Sequence, residues 1–323
     1  MKNRRFGRLG WSVSEVGCGM WGAVAWSGGS PAEARAALQH AVDLGCTFFD
    51  TAAVYGNGAS EALLGELVRA NPGRRLYTAT KIPPRTAKWP SQRGDTALES
   101  YPPEHIEASL HESLRHAGLE RFDLVQLHTW EDAWLRDLRW YDKLVQLRGA
   151  GLFDGIGLSL NRWEPWNGVE AARSGLIDAV QVIYNIFDQN PSDQLLPVCA
   201  AHDVAVIARV PFDEGTLTGR LTAGTTFPAD DWRSGYFVPE NLRASVERAE
   251  ALRPLVPGGM DMAELALRFV LANDVVTTVI PGMRRLAHVE RNIRASDGPA
   301  LSPGLLKQLA AHRWDRLPTS WSQ

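Results

Sequence analysis

Short runs of β-branched and aromatic residues alternate along the chain with longer stretches whose apolar positions recur at helical spacing, and polar turns separate the two. The runs predict eight strands: Val16 to Met20, Thr47 to Thr51, Leu76 to Lys81, Phe122 to His128, Gly155 to Leu160, Ala179 to Tyr184, Ala205 to Val210 and Thr277 to Pro281. The stretches between them predict helices, among them Pro31 to Leu44, Pro103 to Ala117, Leu138 to Gly149, Pro191 to His202 and Asp261 to Ala272. Ser30 ahead of Pro31 reads as an N-cap with proline in the first turn, and Gly45 and Gly118 fall where C-caps belong. Strand and helix alternate with no Pro-, Gly- or Ser-rich linker between halves, so the expected fold is α/β, a (β/α)8 TIM barrel, in one domain spanning residues 1–323. Arg4 to Val13, with its glycine-rich turning, is expected to form an N-terminal β-hairpin that caps the barrel floor.

Three connections exceed ordinary turns: 82–101 after the third strand, 129–135 after the fourth and 212–239 after the seventh. All three follow strands, which places them on the face where barrels build active sites. Composition narrows the function classes without changing this picture. The 323 residues are 45% hydrophobic and 22% charged with a net charge of -3, and Lys and Arg form no stripe or tail, which argues against a nucleic-acid partner. Charge and glycine interrupt the N-terminal segment before any signal-like apolar run, and no stretch approaches the ~20 apolar residues of a membrane span, so a cytoplasmic location without membrane contact is expected. Cys18, Cys46 and Cys199 lie far apart and show no metal-ligand spacing, so neither a disulfide framework nor a metal site is expected. The sequence assigns no oligomeric state.

Candidate chemistry sits at strand ends. Asp50 and Tyr55 lie in FFDTAAVYG, Lys81 closes LYTATK, and His128 closes FDLVQLH. The C-terminal ends of parallel barrel strands converge on one mouth, so these side chains should meet although they are distant in sequence. Singly, a strand-end Lys or Asp reads as a rim ion pair and a strand-end His as a core residue. Together they make a catalytic group: an adjacent ammonium stabilises the phenolate a tyrosine leaves on giving up its proton, a carboxylate balances the buried ammonium, and an imidazole can hold the substrate oxygen.

The segments Gly45 to Gly56 (GCTFFDTAAVYG), Ala79 to Lys81 (ATK), Asp123 to His128 (DLVQLH), Val206 to Gly219 (VIARVPFDEGTLTG) and Val279 to Asn292 (VIPGMRRLAHVERN) resemble, in order, the signature blocks of the aldo-keto reductase superfamily. The resemblance implies a (β/α)8 barrel, NADPH-dependent reduction of aldehydes and ketones or oxidation of the alcohols, and a tetrad of Asp50, Tyr55, Lys81 and His128 with Tyr55 as general acid.

Gly17, Gly19 and Gly22 in VGCGMWG match a Rossmann fingerprint formally, but no helix opens at the third glycine, so the segment reads as a barrel strand entering a tight loop. The resemblance instead implies cofactor contacts from Gly19, Met20, Trp21 and Asp50, from Ser159 and Gln181 to the carboxamide, and from Arg209 in place of a stacking aromatic. Val210, Pro211, Phe212, Gly215 and Gly219 would belong to the loop over the pyrophosphate. Gly282, Arg284, His288 and Asn292 would serve the adenosine end. The chain departs from the family where the usual Ser-Asn doublet becomes Ser159-Leu160-Asn161, and where Arg291 replaces a common Glu. Arg284 and Arg285 open the last barrel helix, whose N-terminus also favours an anion, so NADPH is favoured over NADH.

Tryptophan, with 12 copies, outnumbers phenylalanine and tyrosine. Trp21, Trp26, Trp89, Trp130 and Tyr236 fall in loops above the mouth and predict an aromatic-lined pocket for an apolar or planar carbonyl or alcohol substrate. Two other functions use the same scaffold: a regulatory subunit that holds nucleotide with negligible turnover, and a lyase with Lys81 as Schiff-base amine. The intact tetrad opposes the first and the Asp50 partner opposes the second.

Overall fold

The computed structural model of the chain describes residues 1–24, 30–92 and 94–319. Strands β1 (Asn3–Phe6) and β2 (Trp11–Ser14) pair antiparallel. Eight further strands run parallel in sequence order: β3 (Cys18–Gly19), β4 (Phe48–Asp50), β5 (Tyr77–Ile82), β6 (Leu124–His128), β7 (Gly155–Ser159), β8 (Ala179–Ile183), β9 (Ala205–Arg209) and β10 (Val276–Val279). Parallel bridges from Val16 to Val279 and from Gly19 to Gly282 close the sheet into the expected barrel. A side chain at position 19 would forbid that closure, because its Cβ would lie 2.7 Å from the carbonyl oxygen of Ile280.

Helices fill the connections. Pro31–Asp43 begins at a capping box, Ser30 accepting from the Glu33 amide and the Glu33 carboxylate from the Ser30 amide. Pro103–Ala117 ends on Gly118 at φ 60°. The helix expected over Pro191 to His202 starts only at Leu195 and is preceded by a 3₁₀ turn, Asn190–Ser192. Pro197 explains the difference: in the first turn of Leu195–Ala201 its missing N–H costs nothing, whereas a helix from Pro191 would lose a bond there. The long 212–239 connection contains a 3₁₀ segment, Asp213–Thr218, and a short helix, Arg233–Tyr236.

Strand periodicity separates two cores. Phe49, Val125, Leu127, Val206 and Ala208 point outward into the large core shared with the helices. Phe48, Tyr77, Ala79, Leu124, Ala179, Ala205 and Ile207 fill the barrel interior. The hairpin plugs this interior from below: Phe6 stacks on Phe48 at 5.5 Å and Trp11 on Tyr77 at 5.3 Å. Arg4 pins it by donating to the carbonyls of Leu271 at 2.6 Å and Val276 at 2.7 Å. The interior is thus apolar at the floor, and the inward positions one pleat higher, Asp50, Lys81, Gln126, Gln181 and Arg209, are polar. Among the described residues no helix is long and apolar enough to cross a membrane, no group of three or more His, Cys, Asp or Glu could hold a metal, and the three cysteines are buried and unbridged.

Candidate active site

The polar layer converges on one buried carboxylate. Asp50, 2% exposed, takes the Lys81 ammonium on one oxygen at 2.5 Å. Its other oxygen accepts from the side-chain amides of Gln126 at 2.9 Å and Gln181 at 2.8 Å. Lys81, 1% exposed, also donates to the carbonyl of Thr51 at 2.7 Å and reaches the Tyr55 hydroxyl at 3.4 Å. A charge this deeply buried is tolerable only because each group is answered by a partner of matching chemistry. Tyr55 is half-buried in the turn after β4, its amide donating to the carbonyl of Ala52 at 3.0 Å. The His128 ring meets it edge-on at 6.2 Å. The structure therefore brings all four expected residues together. Burial first, then Lys81 and Arg209, hold the His128 imidazole well below its ordinary pKa, and its buried Nδ1 has no hydrogen-bond partner. A neutral imidazole beside a tyrosine hydroxyl can accept or donate a hydrogen bond as a substrate oxygen requires.

Gln126 escaped the sequence reading. It stands two residues before His128, hence on the same inward face, and that parity was the available signal.

From this corner a groove of about 410 Å³ runs outward past β3 and β10. Its lining includes Gly19, Met20, Trp21, Asp50, Gln181, Arg209, Val210, Pro211, Phe212, Gly215, Gly282, Arg284, His288 and Asn292, all expected cofactor positions. Ser159, 1% exposed, and Gly219 lie outside it. Arg209 donates to the carbonyl of Leu160 at 3.0 Å, keeps a buried Nε without a partner, and has its pKa lowered to about 10 by burial and then by Arg162. The outer end is strongly cationic, with Arg220, Arg233, Arg284 and Arg291 around His288. Burial, then Arg291, Arg285, Arg220 and Arg284, push the His288 pKa down to about 4. This donor set suits a long anionic ligand with an amide-bearing head in the buried corner and phosphate at the exposed end. A larger cavity, about 820 Å³, opens beside the N-terminal strand, but its lining holds neither Tyr nor His.

The aromatic expectations divide. Trp21 lies 6.3 Å from Tyr55 and Trp89 lies 4.5 Å from His128, so both border the corner that holds these two rings. Trp130 does not: it is fully buried, packs on Trp134 at 5.6 Å and Trp140 at 5.0 Å, and donates to Asp132 at 2.8 Å. Tyr236 is likewise removed from the groove, 2% exposed against Phe237 at 4.8 Å, with its hydroxyl taking a bond from Arg316 at 3.3 Å. Trp130 joins the core shared with the helices, and Tyr236 a small cluster with Trp163, Phe237 and Leu242. Trp26 lies outside the described residues. Trp232, which the sequence did not single out, faces Trp21 at 4.9 Å. Asn161 is spent elsewhere: its amide clasps the Ser91 backbone in both directions at 3.1 Å and holds the 82–101 loop against the mouth.

The sequence pattern of the Aldo/keto reductase family matches residues 15–313. The chain belongs to this family. It is 28% identical over 302 residues to a Schizosaccharomyces pombe aldo-keto reductase whose name carries NADP(+), a match covering 88% of this chain and 84% of that one. It is 24% identical to an NADH-specific methylglyoxal reductase of Escherichia coli, covering 91% of this chain and 93% of that one. An aldo-keto reductase of Bacillus halodurans, solved in its holo form, superposes with a TM-score of 0.77 at 25% identity, covering 100% of both chains. The protein is thus an oxidoreductase-family barrel, and members of such a family use nicotinamide cofactors and small-molecule substrates.

Proposed function

We propose that this aldo-keto reductase is an NADPH-dependent carbonyl reductase, or in reverse an alcohol dehydrogenase, with Tyr55 as general acid and base. The observation that carries the reading is the Lys81 ammonium, fixed by Asp50 at 2.5 Å and set 3.4 Å from the Tyr55 hydroxyl at the inner end of a groove whose outer end is lined by arginines. A reduced nicotinamide held in that groove by these residues would supply the hydride that the carbonyl carbon needs. Tyr55 gives its hydroxyl proton to the carbonyl oxygen, and the neighbouring ammonium stabilises the phenolate left behind. Neutral His128 donates to the same oxygen and orients it. Gln126 and Gln181 hold Asp50, and through it Lys81, in register. Arg209, Gly19, Met20 and Trp21 frame the nicotinamide end, Val210 to Gly215 cover the diphosphate, and Arg284, His288 and Asn292 receive the adenosine end. The arginine excess there favours a 2′-phosphate and hence NADPH over NADH. Trp21, Trp89 and Trp232 favour a planar or apolar carbonyl compound.

The test is loss of the reduced nicotinamide absorbance with a panel of aromatic and aliphatic aldehydes and ketones. Turnover of aromatic members with NADPH, faster than with NADH, is the expected result. Binding of NADPH without turnover of any member would instead support a regulatory, nucleotide-holding role, and borohydride trapping of a substrate on Lys81 would support a lyase.

A further inference from the structure

Past the family match, which ends at residue 313, the chain continues into a segment that carries Arg316 back into the protein. Arg316 is 6% exposed and its guanidinium lies between two indoles, 4.7 Å from the ring centres of both Trp163 and Trp314. It donates to Asp213 at 2.7 Å and to both oxygens of Asp188, the Nε bond measuring 3.3 Å. The segment is itself tethered, because the amide of Trp314 donates to the carbonyl of Phe187 at 2.8 Å and Arg313 pairs with Asp193 at 2.6 Å.

Asp213 belongs to the stretch that lines the cofactor groove. Val210, Asp213 and Glu214 have φ of 55°, 46° and 57°, a conformation side-chain-bearing residues hold only where the surroundings impose it. Two arginines impose it here from outside. Arg316 holds Asp213, and Arg162 holds Glu214 at 2.6 Å. Asn185 joins the assembly by donating to Asp188 at 2.8 Å and to the carbonyl of Val210 at 3.1 Å. Without these partners, two carboxylates would stand in a loop that must approach a diphosphate, and like charges repel strongly where water is scarce.

We propose that Arg316 is a positioning residue for cofactor binding: by clasping Asp213 from behind the groove, it holds Val210 to Gly215 in the shape that covers the diphosphate and so slows cofactor release. The inference rests on the reading of this groove as the nicotinamide-nucleotide site. Its test uses the full chain with NADPH as probe, following tryptophan fluorescence for affinity and stopped-flow displacement for release. Arg316→Gln raises the dissociation constant and release rate about tenfold. Arg316→Lys, which keeps the charge but loses the planar fork and the stacking, falls between parent and Gln. Asp213→Asn leaves the Arg316–Asp188 pair intact and still accelerates release, so the inference remains testable even if Arg316→Gln fails to fold. Release within about twofold of the parent in both Asp213→Asn and Arg316→Lys, whatever their melting temperatures, would overturn it and reduce Arg316 to a structural role. A parent chain that binds neither NADPH nor NADH would overturn the groove reading itself, and this inference with it.

Discussion

The two ends of the groove are built on opposite principles. At the inner end the Asp50 and Lys81 charges have dedicated partners: Asp50 accepts from Lys81, Gln126 and Gln181, and Lys81 donates to Asp50 and to the Thr51 carbonyl. These groups stand on the inward faces of β4, β5, β6 and β8 and are almost free of solvent. At the outer end positive charge runs in excess. Over its whole length the groove is lined by five arginines against two carboxylates, and the outer cations sit on a loop and around the last barrel helix. Matched partners fix a geometry before any ligand arrives, as proton transfer requires; a groove lining richer in one charge attracts an anion and leaves its exact pose to the ligand.

The sharpest way to break this contrast is to remove one matched partner. Lys81→Met leaves the Asp50 carboxylate buried with only two amides, so stability should drop by about 3–5 kcal/mol in chemical denaturation. Arg284→Ala should act differently, raising the NADPH dissociation constant by roughly ten- to a hundredfold and that for NADH by less than about threefold, with little change in melting temperature. Equal losses for both cofactors in isothermal titration would remove Arg284 as a phosphate contact. Trp89→Ala, which takes an aromatic face from His128, should raise KM for an aromatic aldehyde by up to about tenfold while kcat with a small aliphatic aldehyde stays near the parental value. The smallest effect concerns acid. His288 has a folded-state pKa of about 4, below its ordinary 6.5, so the neutral form is the one the fold accepts. The associated stability is present above about 6.5 and is lost as pH falls from there towards about 4. His288→Gln should flatten that decline in melting temperature by about 2 °C. An unchanged acid limb would show that His288 is not held neutral.

The barrel was legible because short β-branched and aromatic runs alternate with amphipathic stretches and some helices carry their own caps, as at Ser30 and Gly118. Asp50, Tyr55, Lys81 and His128 were legible because strand ends in a parallel barrel meet wherever they lie in sequence. Gln126 needed one further step, the parity that puts it on the face of His128. Trp130 and Tyr236 were misplaced because the destination of a loop aromatic depends on partners a linear pattern does not pair with it: Trp130 finds Trp140 across a turn, and the Tyr236 hydroxyl finds Arg316 far along the chain. Asn161 illustrates the same limit, since its partner Ser91 lies in a long loop with no periodicity to read.

Tyr55 is the proposed proton donor. Tyr55→Phe removes one hydroxyl from a frame whose charges remain paired, so it separates chemistry from folding and from cofactor binding. Single-turnover reduction of an aromatic aldehyde, begun from the NADPH complex, should slow by about 10²–10⁴-fold while the NADPH dissociation constant stays within about twofold of the parent. Reduction at the parental rate would contradict the account.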